Sequence, residues 1–169
     1  MPATHPLVRS FPPIARRDAE VLILGSMPGE ASLAAGRYYA HPRNAFWPIM
    51  AALLGFAPDA PYARRVRALK EARIALWDVL YSCRRRGSLD ADIAREDLAA
   101  NDFAGFFRSH ARIRRVVFNG AAAEQCFRRH VEPGLKLPGI AYARLPSTSP
   151  AHAALSFDAK REAWRVLVL

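Results

Sequence analysis

The apolar positions of this chain fall in short unbroken runs more often than in strict alternation. Val21–Leu24 is wholly apolar and stops at Gly25-Ser-Met-Pro-Gly29. A run too short for a helix, bounded by a Gly/Pro turn, predicts a strand buried on both faces. Ile74–Leu80, Val116–Phe118 and Ile140–Leu145 predict three more strands. Between them the spacing becomes helical. Phe46–Leu54 predicts a buried helix stopped by Gly55–Pro61, and Ala63–Ala72 a basic one. Phe103–His110 predicts a helix capped by Asn101 or Asp102, and Ala121–Arg129 a small-residue helix that can lie close to a sheet. Phe157–Leu169 predicts a terminal helix, begun upstream by Ser149 as cap with Pro150 in the first turn. Glu30–Gly36 holds a short helical turn, while Ser10–Arg17, Ser82–Leu89 and Glu132–Pro138 read as irregular. Strands separated by helices define an α/β protein with a parallel sheet covered on both faces.

Composition narrows this picture in two ways. With 169 residues, 51% hydrophobic and 24% charged, residues 1–169 suit a single domain with a full core, and disorder is excluded as the default. No repeat or linker interrupts them. Cys83 and Cys126 form no CxxC and carry no metal or cluster signature. Met1–Ser10 lacks an apolar core of signal length and no later run approaches a membrane span, so the expectation is a cytoplasmic protein. Charge says more. Lys+Arg 25 against Asp+Glu 15 gives +10, and all but three of the basic residues are arginine. A basic, arginine-rich surface favours a polyanionic partner, nucleic acid above all.

Four turns follow the predicted strands: Gly25–Gly29, Asp78–Ser82, Asn119-Gly120 and Pro146–Pro150. In a doubly wound sheet they gather along one edge, where such proteins build their sites. Next to the first lies Tyr38-Tyr-Ala-His-Pro-Arg-Asn-Ala-Phe-Trp47, too rich in hydrogen-bonding groups for packing alone. Pro146-Ser-Thr-Ser-Pro150 offers three hydroxyls at an expected helix start, a ready anion site. Arg84, Arg85 and Arg86 read as a basic loop able to lie on a phosphate backbone or simply in solvent. Gly25–Gly29 has neither P-loop nor dinucleotide spacing, which disfavours a nucleotide cofactor. His41 and His152 stand too far apart in sequence to argue for a metal.

Leu24-Gly-Ser-Met-Pro-Gly29, the Tyr38–Trp47 segment, Val117-Phe-Asn-Gly120 and Leu145-Pro-Ser-Thr-Ser-Pro-Ala151 together resemble the uracil-DNA glycosylase superfamily. The resemblance is nearest to its hypoxanthine-DNA (deoxyinosine) glycosylase branch, and next to the mismatch-specific uracil glycosylases. It implies a three-layer α/β/α domain with a central four-stranded, mainly parallel sheet. It implies an enzyme, working as a monomer, that flips a deaminated base out of DNA and hydrolyses its glycosidic bond without metal or redox cofactor. Branches carrying an iron–sulfur cluster need four cysteines, and this chain has two.

One departure matters. Where most of the superfamily has an Asp or Asn in the first turn to handle water, Met27 stands here, and Leu145 replaces the His or Asn of the last turn. The resemblance to the hypoxanthine branch suggests Asn44 instead, holding water for an oxocarbenium-like sugar, with His41 and Ser147 as the next candidates. Tyr39 aligns with the base-stacking aromatic. An ionised Asp78 is expected to read a ring N–H on the base edge, with Gly25, Ser26, Met27 and Asn119 completing the base pocket and a backbone N–H near Asn119 or Gly120 donating to the base carbonyl. Arg84, Arg85, Arg86, Ser147, Thr148, Ser149 and His152 are the expected DNA contacts. Met27 and Leu145 also motivate a second reading, a catalytically inactive DNA-binding protein of the same fold; a small-nucleoside hydrolase is a third.

Overall fold

The computed structural model describes residues 5–169. Of the opening segment Met1–Ser10, the first four residues lie outside the described residues. Four strands, β2 (Val21–Gly25), β3 (Ile74–Asp78), β6 (Arg115–Asn119) and β7 (Ala141–Leu145), form a sheet of order β3-β2-β6-β7 in which every pairing is parallel. Alternation along the strands sorts the core into two layers. Val21, Ile23, Ile74, Leu76 and Val117 face α2 (Phe46–Leu54), α3 (Tyr62–Glu71) and α6 (Phe157–Trp164). Leu22, Leu24, Ala75, Trp77, Val116 and Phe118 face α4 (Phe103–Ser109) and α5 (Ala121–His130). Both faces are dry along β2, β3 and the middle of β6, which is why those strands read as continuous apolar runs, whereas the edge strand β7 is mostly exposed. The expected three-layer α/β/α architecture is the one observed.

Three departures from the sequence reading have local causes. A second, antiparallel sheet joins β1 (Leu7–Arg9), β4 (Leu80–Arg84) and β5 (Ala99–Ala100) in the order β1-β4-β5. The predicted strand Ile74–Leu80 therefore breaks after Asp78. Asn101 Nδ2 donates to the carbonyls of Asp78 (2.8 Å) and Leu80 (3.2 Å) and holds the corner between the two sheets. That leaves the capping of α4 to Asp102, which accepts from Gly105 N at 3.0 Å. The lead-in Ser10–Arg17 is not wholly irregular either, since Ile14 and Leu76 exchange backbone hydrogen bonds of 2.9 and 2.8 Å.

The third departure is the last helix. No helix starts at Ser149-Pro150; α6 begins at Phe157, capped by Ser156, whose hydroxyl accepts from Ala159 N at 3.1 Å. The hydroxyls of Ser149 and Ser147 instead accept from N–H groups two residues on, Ala151 and Ser149, in local turns. Short side-chain turns compete successfully with helix here.

Candidate active site

All four strands of the parallel sheet run in one direction, so the chain leaves them at one edge, as expected, although Leu80–Ser82 of the second predicted turn is already strand β4 and only Asp78 of that turn lines the cavity. With α1 (Glu30–Ala35) and the aromatic segment after it these strand ends enclose a cavity of about 150 Å³. Gly25, Ser26, Met27, Tyr39, His41, Asn44, Asp78, Asn119, Ser147, Thr148 and Ser149 all line it. Eleven residues named from the sequence thus converge on one place.

Asp78 forms the floor. It is 3% exposed, and its Oδ2 is buried with no hydrogen-bond partner. Gly25, its register partner on β2, makes the arrangement possible: a Cβ there would stand 2.5 Å from Asp78 Oδ1 and 3.1 Å from Tyr39 Oη. Burial, reinforced by the nearby Asp90 and opposed by Arg85, pushes the carboxyl up to about 7. The expectation of a plainly ionised Asp78 is corrected accordingly; near neutrality it exists in both forms.

The wall is aromatic. Tyr39 sits at φ 52°, a left-handed conformation that costs a bulky residue strain and marks a constrained position. Its ring lies 4.2 Å from that of Phe46 at 30°. Tyr38, adjacent, is buried: its hydroxyl donates to Pro12 O at 2.9 Å, its N–H to Tyr62 Oη at 3.1 Å, and its carbonyl accepts from Trp47 Nε1 at 2.8 Å. Asn44 Oδ1 accepts from Phe46 N at 2.9 Å, so the amide is oriented by the first turn of α2. One lone pair of Oδ1 and both Nδ2 hydrogens remain for the cavity. His41 Nδ1 accepts from Arg43 N at 3.1 Å, which leaves Nε2 to carry the proton of the neutral ring.

Asn119 is more constrained than the sequence reading expected. Its Nδ2 donates to Tyr39 Oη (3.0 Å) and Thr148 Oγ1 (2.9 Å), and its Oδ1 accepts from Thr148 N (2.9 Å). Both amide donors are spent on protein, so Asn119 ties the last turn to the aromatic wall. The Gly120 N–H is engaged too, with the carbonyls of Phe118 and Leu145 at 3.0 and 2.9 Å, and so is not the expected donor to a base. Gly120 itself, at φ 92°, admits Ser147, whose Cβ would lie 2.8 Å from any Cβ at this position. Met27 is buried and Leu145 packs in the core, both without polar function.

The arginine loop is where expectation and structure part most. Arg84 lies in β4 and pairs with Asp97 at 2.6 Å. Arg85 is 2% exposed and donates to the carbonyl of Pro28, its Nε and Nη1 buried without partners. Only Arg86 is exposed as a DNA contact requires. His152 is exposed on the loop after Pro150, and its carbonyl accepts from Lys160 Nζ at 2.6 Å. Lys160 is itself buried and its pKa is lowered by that burial.

Sequence reasoning missed Ser88 and Asp90. The segment after β4 folds over the cavity mouth, where both line it. Ser88 Oγ accepts from Glu30 N at 2.8 Å, and Ser26 Oγ donates to Asp90 Oδ1. A carboxylate two residues from a hydroxyl, within a basic run, was the available signal. Among the described residues no group of three or more His, Cys, Asp or Glu could hold a metal ion, and no helix is long and apolar enough to cross a membrane.

A parallel four-stranded sheet with a polar cavity at its strand ends defines a class, and comparison with known proteins gives it a family. The model of the uracil DNA glycosylase superfamily matches residues 12–168, and the chain belongs to that superfamily. It is similar to the hypoxanthine DNA glycosylase of Methanosarcina acetivorans, 35% identical over 155 residues, 91% of this chain and 94% of the relative. The hypoxanthine DNA glycosylase of Methanosarcina barkeri is 32% identical over 157 residues, 92% of this chain and 94% of that protein. A solution NMR structure from Methanosarcina acetivorans, provisionally described as a uracil DNA glycosylase, superposes with a TM-score of 0.77 at 33% identity, covering 96% of this chain and 99% of that one.

Proposed function

We propose that this protein is a monofunctional DNA glycosylase that flips a deaminated base, hypoxanthine or uracil, out of DNA and hydrolyses its N-glycosidic bond, initiating base excision repair. Two relatives spanning most of the chain are named for hypoxanthine. The observation that carries the reading to this chain is the unpartnered Asp78 oxygen on the floor of a polar cavity at the strand ends. A base stacked in a duplex cannot reach such a floor, so the nucleotide must leave the helix. Hypoxanthine and uracil present a ring N–H beside a carbonyl; ionised Asp78 accepts from that N–H and repels the bare ring nitrogen of adenine. Tyr39 stacks on the base. Asn44, oriented by α2, holds water against the sugar as the base departs. We retain with it a cytoplasmic monomer, without cofactor, as the working species.

A panel of oligonucleotides carrying hypoxanthine, uracil, xanthine or mismatched thymine, scored for abasic sites, tests the proposal. Release of hypoxanthine is expected. Tight lesion binding with no base released from any substrate would favour the inactive binder that Met27 and Leu145 allow, and release from free nucleosides alone would indicate a nucleoside hydrolase.

A further inference from the structure

Hydrolysis needs a proton acceptor, and the groups considered so far do not supply one. When the C1′–N9 bond of deoxyinosine breaks, its electron pair leaves on the purine. The water oxygen then bonds to C1′, and one water proton must go to a base before returning to the purine nitrogen or to solvent. Asn44 holds water but its amide takes no proton. His41 Nδ1 already accepts from Arg43 N and is not free to take a water proton. Asp78, buried at the cavity floor, is already assigned to the base edge by the proposed function.

We infer that Asp90 is that proton acceptor, a catalytic carboxylate brought to the first-strand turn by a separate segment, in place of the one Met27 lacks. The inference rests on the glycosylase reading above. Its geometry is built, not incidental. The segment is fastened to the turn at three successive points: Arg85 to the Pro28 carbonyl, Ser88 to Glu30 N, and Asp90 to the Ser26 hydroxyl. Gly29 permits the approach, since a Cβ there would stand 3.2 Å from Ser88 Oγ. Asp90 lines the cavity yet the residue remains exposed, which puts it on the rim. The sugar of a flipped nucleotide stays attached to the DNA backbone, so the glycosidic carbon lies between floor and rim, within reach of this carboxylate. Only Oδ1 is engaged, by Ser26. Burial of the carboxyl raises its pKa, while the Ser26 bond and Arg85 lower it; a base held above the ordinary carboxylate range is stronger for that.

The test is single-turnover release of hypoxanthine from a duplex containing deoxyinosine, beside the Kd for that duplex, in wild type, Asp90→Asn and Asp90→Glu. Asp90→Asn keeps the acceptor for Ser26 and is expected to lower the rate at least about 100-fold, within the range of general-base catalysis, with Kd changed less than about threefold. Asp90→Glu, which keeps a carboxylate on the same segment, is expected to exceed the Asn variant by about tenfold or more. An Asn variant within about threefold of wild type, Glu and Asn variants equally slow, or a rate loss matched by an equal loss of affinity would each overturn the role. Wild type releasing no base would instead sink the glycosylase reading, and this one with it.

Discussion

Burial keeps the Asp78 carboxyl protonated well above the ordinary carboxylate range. It holds a proton up to about 7 in the folded protein against 3.8 ordinarily. Between those values the folded state binds more protons, so stability falls as pH rises from about 4 to about 7, by on the order of 4 kcal/mol in all. Asp78→Asn removes that dependence. Its urea midpoint should exceed wild type at pH 8, with the gap narrowing by pH 5; a constant gap would show that Asp78 does not titrate in this range. On the proposed function the same proton should govern base choice. Above pH 7 the ionised group should reject adenine, while below it the protonated group should donate to adenine's ring nitrogen. Discrimination of hypoxanthine from adenine should therefore narrow on acidification in wild type and be flat in Asp78→Asn. Asn44→Ala should lower turnover about 100-fold, the scale of lost orientation, and leave lesion affinity near wild type, because positioned water matters at the transition state. Asp78 and Asn44 were legible as residue types at strand and helix ends. The displaced Asp78 pKa was not, because it depends first on burial in the assembled cavity and then on Asp90, which arrives from a segment that reads as a solvated loop.

At the scale of elements, the long aromatic segment divides its labour between neighbours. Tyr38 points its hydroxyl to Pro12 and its backbone to Tyr62 and Trp47, whereas Tyr39 turns through a positive φ into the cavity. Tyr38→Ala should cost about 3–5 kcal/mol of stability, as for a large core truncation, and its remaining folded fraction should retain activity. Tyr39→Ala should lose about 1–3 kcal/mol of flipped-base binding, the worth of base–aromatic stacking, with a smaller change in the unfolding midpoint. Thermal melts and lesion-duplex titrations on both variants separate the two; interchangeable behaviour would remove Tyr39 from the base pocket. Three of the four parallel strands were legible because β2, β3 and the middle of β6 are buried on both faces; the edge strand β7 is mostly exposed and was legible only from the turns that bound it. The small sheet was not: β5 is two residues long, and β1 is three, partly exposed, and pairs with residues far along the chain. Such pairing leaves no period to read. The last helix was placed too early because Ser149-Pro150 satisfies the rules for a helix start equally well as an isolated turn.

For the molecule as a whole, the excess charge is unevenly free. Arg16, Arg73, Arg128, Arg144, Arg161 and Arg165 are held in ion pairs with Asp or Glu neighbours. Arg43, beside His41 and Asn44, and Arg86, on the segment over the cavity mouth, are exposed and make no ion pair among the described residues. Counterion release makes phosphate binding weaken with salt, and each contact removed flattens the log–log slope by about 1. Arg43→Glu and Arg86→Glu should each weaken binding to lesion and undamaged duplexes alike and reduce that slope, without altering which base is released. Arg84→Glu should change affinity little, because Arg84 already faces Asp97. Arg85→Glu belongs to a different category: replacing a buried guanidinium that holds the Pro28 turn should lower the unfolding midpoint before it touches any phosphate. Anisotropy titrations over a salt series with all four variants check this. Equal losses of affinity for Arg84→Glu and Arg86→Glu, with both folded, would mean that the basic segment meets DNA as a continuous run after all, with β4 released from its sheet on binding.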